Sequence, residues 1–356
     1  MSRKGSFIVI LILALVAAGY LQRYLGWQMP WASLPNDNPP PGTEASAPPT
    51  TNTTSGQWIY KPAVSTTTQG YRWVTLYFTD PNTIFLVPVS RQIAKSPYLV
   101  KDTLDQLFAG PNPATGLQPS VLAMQIRGLA VKGDTVRVDF PESQAVATST
   151  WGSTGGTLAL NAIVATLTGI PGIDQVQFLV NGHTTNYMFH DQDVSAPVPG
   201  PKWISDKNQL TLYYALPVNG RAFLVPFQIS TQESQNNTAA AADLNSLMAR
   251  AINELKTKRT VGEFSLEPAL PAEVSLVDAS VKGDTAYLNF SPSLLTALKD
   301  DPNREALMAD AIVFTATAFP DVTKVQFLVD GQKPNASLGV MPLAQPQSRP
   351  AWINPE

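Results

Sequence analysis

The chain has 356 residues, is only 14% charged with a formal net charge of -3, and contains no cysteine. The near-neutral balance argues against a nucleic-acid surface, and the missing thiol excludes disulfides, thiolate metal sites, thiol catalysis and a lipid anchor on cysteine. The length suits two or three domains, each large enough to bury its own core.

Arg3 and Lys4 precede an apolar run that includes Phe7, Ile8, Val9, Ile10, Leu11, Ile12, Leu13 and Leu15. As a helix, Gly5 to Gln22 would reach about 27 Å, near the hydrocarbon thickness of a bilayer. Trp27 and Trp31 follow at the expected interface. Residues 1–22 are therefore expected to be a signal anchor. The positive flank would stay inside, giving a single-pass protein of the cell membrane with the bulk of the chain extracytoplasmic. Val16-Ala17-Ala18 also fits a cleavage site, so a removed signal peptide is the second reading. Residues 23–70, rich in Pro, Thr and Ser, read as a tether.

From Trp73 onward the pattern is that of a small α/β domain. Trp73 to Phe78 and Phe85 to Val89 read as strands around the turn Asp80-Pro81-Asn82, with Pro88 marking an edge or bulge. Ser96-Pro97 starts a helix carrying Leu99, Thr103, Leu104, Leu107 and Phe108, stopped by Gly110-Pro111. Ile126 to Val131 and Thr135 to Phe140 flank Gly133-Asp134 as a hairpin. A Gly/Ser/Thr-rich loop leads to a helix with Leu158, Ala162, Ile163 and Leu167, then to the strand Gln175 to Val180.

The same order then returns. Leu76-Tyr77-Phe78 recurs as Leu212-Tyr213-Tyr214, and Phe85-Leu86-Val87-Pro88 as Phe223-Leu224-Val225-Pro226. Val131-Lys132-Gly133-Asp134-Thr135 recurs as Val281-Lys282-Gly283-Asp284-Thr285, and Val176-Gln177-Phe178-Leu179-Val180 as Val325-Gln326-Phe327-Leu328-Val329. Four blocks in one order signal a duplicated domain. The expected fold class is α/β (α+β), with two tandem β-β-α-β-β-α-β modules at 71–185 and 208–335. Residues 186–207 are expected as a linker, the connection Thr257 to Pro271 as a long loop, and 336–356 as a disordered tail.

The chemistry-bearing residues have bland readings. His183 and His190 lie near Asp191 and Asp193, but without a recognised ligand spacing and without counterparts in the second copy. Asp134 and Asp284 follow glycine in hairpin turns, where Asp serves the backbone. Asp139 is replaced by Asn289, which an acid/base role shared by both copies would not allow. Gly152, Gly155 and Gly156 precede a helix without a phosphate-loop Lys-Ser/Thr pair and read as a loop. Trp151 in that loop is the candidate partner contact, while Trp73, Tyr77 and Phe178 are expected in the core. No cofactor, metal or catalytic residue is expected.

This combination resembles the GerM domain family. The features that carry it are the Leu-Tyr-Phe opening, the Leu-Val-Pro strand, the helix end Leu107-Phe108-Ala109-Gly110-Pro111, the Gly-Asp hairpin leading to Val138-Asp139-Phe140, and Ile312 to Pro320 before the last strand. The resemblance implies a domain similar to ring-building folds of secretion and sporulation assemblies, in a cell-envelope protein with no catalytic residues to carry over. The expected function is non-enzymatic: membrane-anchored modules that bind or assemble with envelope proteins or peptidoglycan, as a homo-oligomer or not, in spore formation or germination. The alternatives are a wall-remodelling hydrolase or its regulator, and an extracytoplasmic small-solute binder, which a deep pocket at the domain joint would support.

Overall fold

In the computed structural model, residues 58–149, 152–231 and 243–356 are described. The anchor residues Phe7 to Leu15, most of the tether and Trp151 lie outside them. Among the described residues, no helix is long and apolar enough to cross a membrane.

The first copy opens with an antiparallel hairpin, β1 (Tyr71–Thr79) and β2 (Leu86–Ala94), followed by α1 (Leu99–Phe108). Strands β3 (Gly128–Lys132) and β4 (Thr135–Phe140) form the second hairpin. Helices α2 (Glu142–Ser149) and α3 (Ser153–Thr168) then lead to β5 (Gln175–Val180), which pairs parallel to β4. A parallel neighbour needs a crossover, and α3 supplies it. Gly156 in α3 has a steric reason: a Cβ there would stand 2.1 Å from the Phe189 carbonyl oxygen. That close approach, rather than anion binding, accounts for the glycine.

The second copy repeats the plan with β10 (Gln209–Val218), β11 (Arg221–Ser230), α4 (Leu244–Glu254), β14 (Leu276–Lys282), β15 (Thr285–Phe290), α5 (Pro302–Ala316) and β16 (Lys324–Val329). Again β14–β15 is antiparallel and β15–β16 parallel. Two stacked phenylalanine pairs mark equivalent places in the cores, Phe140–Phe178 and Phe290–Phe327. All four rings are fully buried.

Three segments expected as irregular are built. Residues 142–149 form α2 rather than loop, and Thr257 to Pro271 holds a short hairpin, β12 (Arg259–Val261) with β13 (Phe264–Leu266). The linker 186–207 carries β9 (Val198–Pro199), which pairs with β5. The tail is also ordered. Its strand β19 (Gln347–Ser348) pairs with β16, in the register by which β9 meets β5.

Beyond β9 and β19 the sequence itself repeats: Pro201-Lys202-Trp203-Ile204 matches Pro350-Ala351-Trp352-Ile353. Each of these segments crosses to the other copy. Ser205 N–H donates to the Ala318 carbonyl (2.8 Å). Ser90 N–H donates to the Ile353 carbonyl (3.1 Å), and Ile353 N–H to Ser90 Oγ (3.1 Å). The two copies are thereby stitched together at both exits. Trp73, expected in the core, is half-buried and stacks on Trp352 at 6.3 Å between ring centroids.

Candidate functional site

The polar residues repeated in both copies hold the fold. Gly182 N–H donates to Asp139 Oδ1 (2.8 Å), and Gly331 N–H to Asn289 Oδ1 (2.8 Å). An amide oxygen accepts as well as a carboxylate does, so Asp and Asn are interchangeable there. Gln177 Nε2 reaches the Phe178 and Val194 carbonyls, and Gln326 Nε2 the Phe327 and Leu343 carbonyls. The backbone carbonyls of Asp134 and Asp284 each accept the N–H that opens the following strand pair (2.8 Å in both). Hydrogen bonds from Thr323, Lys324 and Thr285 lower the exposed Asp284 carboxyl to about 2.

We therefore expect Asp139→Asn to change stability by less than about 1 kcal/mol, the value of the exposed Arg127–Asp139 pair it weakens. Urea unfolding of the two proteins measures this, and a larger loss would mean that Asp139 does something Asn289 does not.

The histidines sit apart from any shared centre. His183 lies in β6 (His183–Thr184), paired with Val180, and His190 Nδ1 lies 3.1 Å from the Ser149 carbonyl. Among the described residues, no three His, Asp or Glu side chains converge.

The helices α3 and α5 show where the copies differ. Tyr77 N–H donates to Thr166 Oγ1 (3.2 Å), and Tyr213 N–H to Thr315 Oγ1 (3.0 Å). This pairing, with Thr168 and Thr317 one half-turn on, fixes the helix register. It places Asn161 opposite Asp310, and Ala165 opposite Phe314. The register of β9 and β19 likewise sets Gly200 against Arg349.

In the second copy this face is covered. The segment Trp58 to Ala63 lies on it, and every residue from Ala306 to Ala316 is buried. Tyr60 OH donates to Asp310 Oδ2 (2.9 Å), and Ala63 N–H to the same oxygen (2.8 Å). Burial raises the Asp310 carboxyl to about 6, against the pull of those two hydrogen bonds. Burial, reinforced by Asp310, also raises the Tyr60 phenol well above its ordinary value. The Arg349 guanidinium closes the cluster, 4.6 Å from the Phe314 ring centroid.

In the first copy the same face is open. Thr157 and Asn161 are exposed and Leu158 is half-buried, whereas their counterparts Ala306, Asp310 and Leu307 are at most 5% exposed. A cavity of about 390 Å³ lies here, at the joint of the two copies. The first copy contributes Tyr77, Phe85, Asn161 and Ala165. Trp203 forms a side wall, and Pro226 and Phe227 of β11 close the far one. The size falls within the range of small-ligand pockets, and no charged side chain lines it.

Tyr77, expected in the core, is buried there and also lines the cavity, its phenol pushed up to about 12, chiefly by burial. The Trp203 indole N–H is buried without a hydrogen-bond partner, although it stands near enough to Tyr77 to favour the ionised phenol. Sequence reasoning missed this site. Its signal was the fifth repeated block, Pro-x-Trp-Ile.

A family profile described as "Germane: Sporulation and spore germination" matches residues 75–186 and 211–335. The chain is 23% identical over 299 residues to the spore germination protein GerM of Bacillus subtilis (strain 168), covering 78% of this chain and 77% of that protein. Its fold is similar to that of the tandem GerMN domains of the sporulation protein GerM from Bacillus subtilis. That match has a TM-score of 0.58 and 21% identity, over 80% of this chain and 99% of the other.

Proposed function

Because the chain belongs to the Germane family of sporulation and spore-germination domains, we propose that it is a membrane-anchored, non-enzymatic envelope protein whose paired modules bind neighbouring envelope proteins. The observation that carries this reading is a difference between two equivalent sheet edges. Lys282 and Thr285 close the β14–β15 hairpin, so the Val281 N–H faces outward. Asn245 Oδ1 of α4 accepts it at 2.9 Å. In the first copy Lys132 and Thr135 close the hairpin in the same way, which turns the Val131 N–H outward. There no side chain among the described residues accepts it, and Val131 is 54% exposed.

One edge is capped and the other is left open to an added strand. Natural sheets usually protect such an edge, so an uncapped one favours a partner that completes it. The shared polar residues support the same reading, since both copies use them on turns and strand ends. The positively flanked apolar run at residues 3–22 supports membrane attachment.

The test uses the full-length chain solubilised in detergent from its own membrane, with and without Val131→Pro. Proline removes the outward N–H at a position that donates nothing to the hairpin ladder. Cross-linking of the native chain should yield a discrete heteromeric product that the variant loses, at unchanged thermal stability. The same product from both proteins would sink the edge reading. Turnover of wall glycan by the purified chain would favour the hydrolase instead. The joint cavity favours a second reading, small-solute binding.

A further inference from the structure

We propose that the joint cavity of the first copy is a docking pocket for a tyrosine side chain presented by an extended segment of a partner protein. The chain already contains one occupied example of this face and one open example.

On the second copy, Tyr60 packs with Tyr213 and Phe314, and its hydroxyl donates a hydrogen bond to Asp310. The first copy keeps the elements of that seat. Tyr77 stands for Tyr213 and is held by the same threonine bond. Asn161 stands for Asp310 and offers a neutral amide oxygen to a phenol. A neutral acceptor suits a pocket whose lining carries no charge, because an ionised one must be desolvated on closure.

The other differences enlarge the seat. Ala165 replaces Phe314, and Gly200 replaces Arg349, whose guanidinium covers the second-copy cluster. The buried Trp203 N–H, without a hydrogen-bond partner, adds a donor-only group to the lining. It asks the incoming segment for an acceptor, which a phenol oxygen or a backbone carbonyl provides.

One part of the second-copy contact is not reproduced. There the Ile59 N–H donates to the Gly220 carbonyl, and Ala222 N–H donates to the Ile59 carbonyl. The first-copy counterpart of Ala222 is Ile84, whose N–H is already held by Asp80 Oδ1 at 2.7 Å. The incoming segment is therefore anchored by its aromatic side chain and not by strand addition.

This inference deepens the proposed binding role, and rests on it, by naming the chemistry of one contact. It fails separately from the β3 edge, because its variants leave Val131 untouched. The probe is a synthetic peptide of residues 57–64, titrated calorimetrically into the full-length chain in detergent. Saturable one-to-one binding is expected. The peptide with Tyr60→Phe should bind about 3- to 10-fold more weakly, the value of one hydrogen bond to a neutral partner. Ala165→Glu, which puts a carboxylate into a pocket with no charged lining, should abolish binding. Asn161→Leu, at an exposed helix position, should reproduce the loss seen with the phenylalanine peptide and serves if Ala165→Glu does not fold. Absence of saturable binding at millimolar peptide would overturn the proposal. So would binding unchanged by Ala165→Glu, which would place the peptide elsewhere, or displacement of the peptide by N,N′-diacetylchitobiose, which would make the cavity a sugar site.

Discussion

Replacing Asn354 by Ala is expected to cost about 2–5 kcal/mol and to weaken the joint between the copies. Asn354 is 4% exposed and lies beyond β19, in the segment that crosses back to the first copy. Its Nδ2 donates to the Pro88 carbonyl (2.7 Å) and to the Leu224 carbonyl (2.8 Å), and its Oδ1 accepts the Leu224 N–H (2.9 Å). One side chain thus joins β2 of the first copy to β11 of the second. Pro88 faces Tyr77, whose N–H and carbonyl are bonded to Thr166 and Ser120, so the Pro88 carbonyl points out of the hairpin and needs a partner from outside the ladder.

Removing the amide strands one buried donor and leaves two carbonyls short, and water cannot easily replace it. Urea unfolding should show a lower midpoint. Limited proteolysis should then cleave between the copies, near residues 196–207, before either core is cut. A loss under about 1 kcal/mol would mean that the Ser90 bonds to Ile353 and the Arg91–Glu356 ion pair (2.6 Å) hold the joint without it.

This residue also shows what the sequence could and could not tell. The paired cores were legible because strands alternate, helices recur at their own spacing, and Gly-Asp turns punctuate them. Every element so read lies within a residue or a few of its place. The segment 336–356 looked like a tail because it is rich in Pro, Ala and Gln and has no periodicity. Its order comes from tertiary partners: Leu338 and Leu343 are fully buried, and Ile353 is buried against the second-copy helix. No local signal reports such a contact. A duplicated chain still offers one more, since a segment that repeats at the spacing of the flanking domains is part of the domain. Pro201 to Ile204 and Pro350 to Ile353 met that test.

The candidate site was less legible for the same reason. Asn161, Ala165 and Gly200 are ordinary residues in sequence. Their meaning appears only when each is set beside Asp310, Phe314 and Arg349 in equivalent positions. The single-letter differences between copies then mark where a shared face is covered in one and open in the other.

The covered face makes its own prediction, with the sign set by the Asp310 carboxyl. Its pKa is raised to about 6 in the folded chain, from an ordinary value of 3.8, by burial first. The folded state therefore holds a proton between about pH 4 and pH 6 that the unfolded state has released. Stability contributed by this group is fully present below pH 3.8 and falls as pH rises, until the folded carboxyl is itself ionised above about 6. The two-unit difference corresponds to about 3 kcal/mol at most. Asp310→Asn retains an oxygen for Tyr60 OH and the Ala63 N–H, and it has nothing to ionise. Its stability relative to the native chain should therefore climb by about 3 kcal/mol from about pH 4 to about pH 7 and then level off. Asp310→Ala removes the slope as well but leaves a phenol and an amide buried without an acceptor, so it should be the least stable of the three at about pH 4. Urea unfolding of all three proteins at half-unit pH steps gives the curves. A native-minus-Asn difference that stays flat across that range would mean that Asp310 titrates as an exposed carboxylate. The segment Trp58 to Ala63 would then not cover α5 in solution.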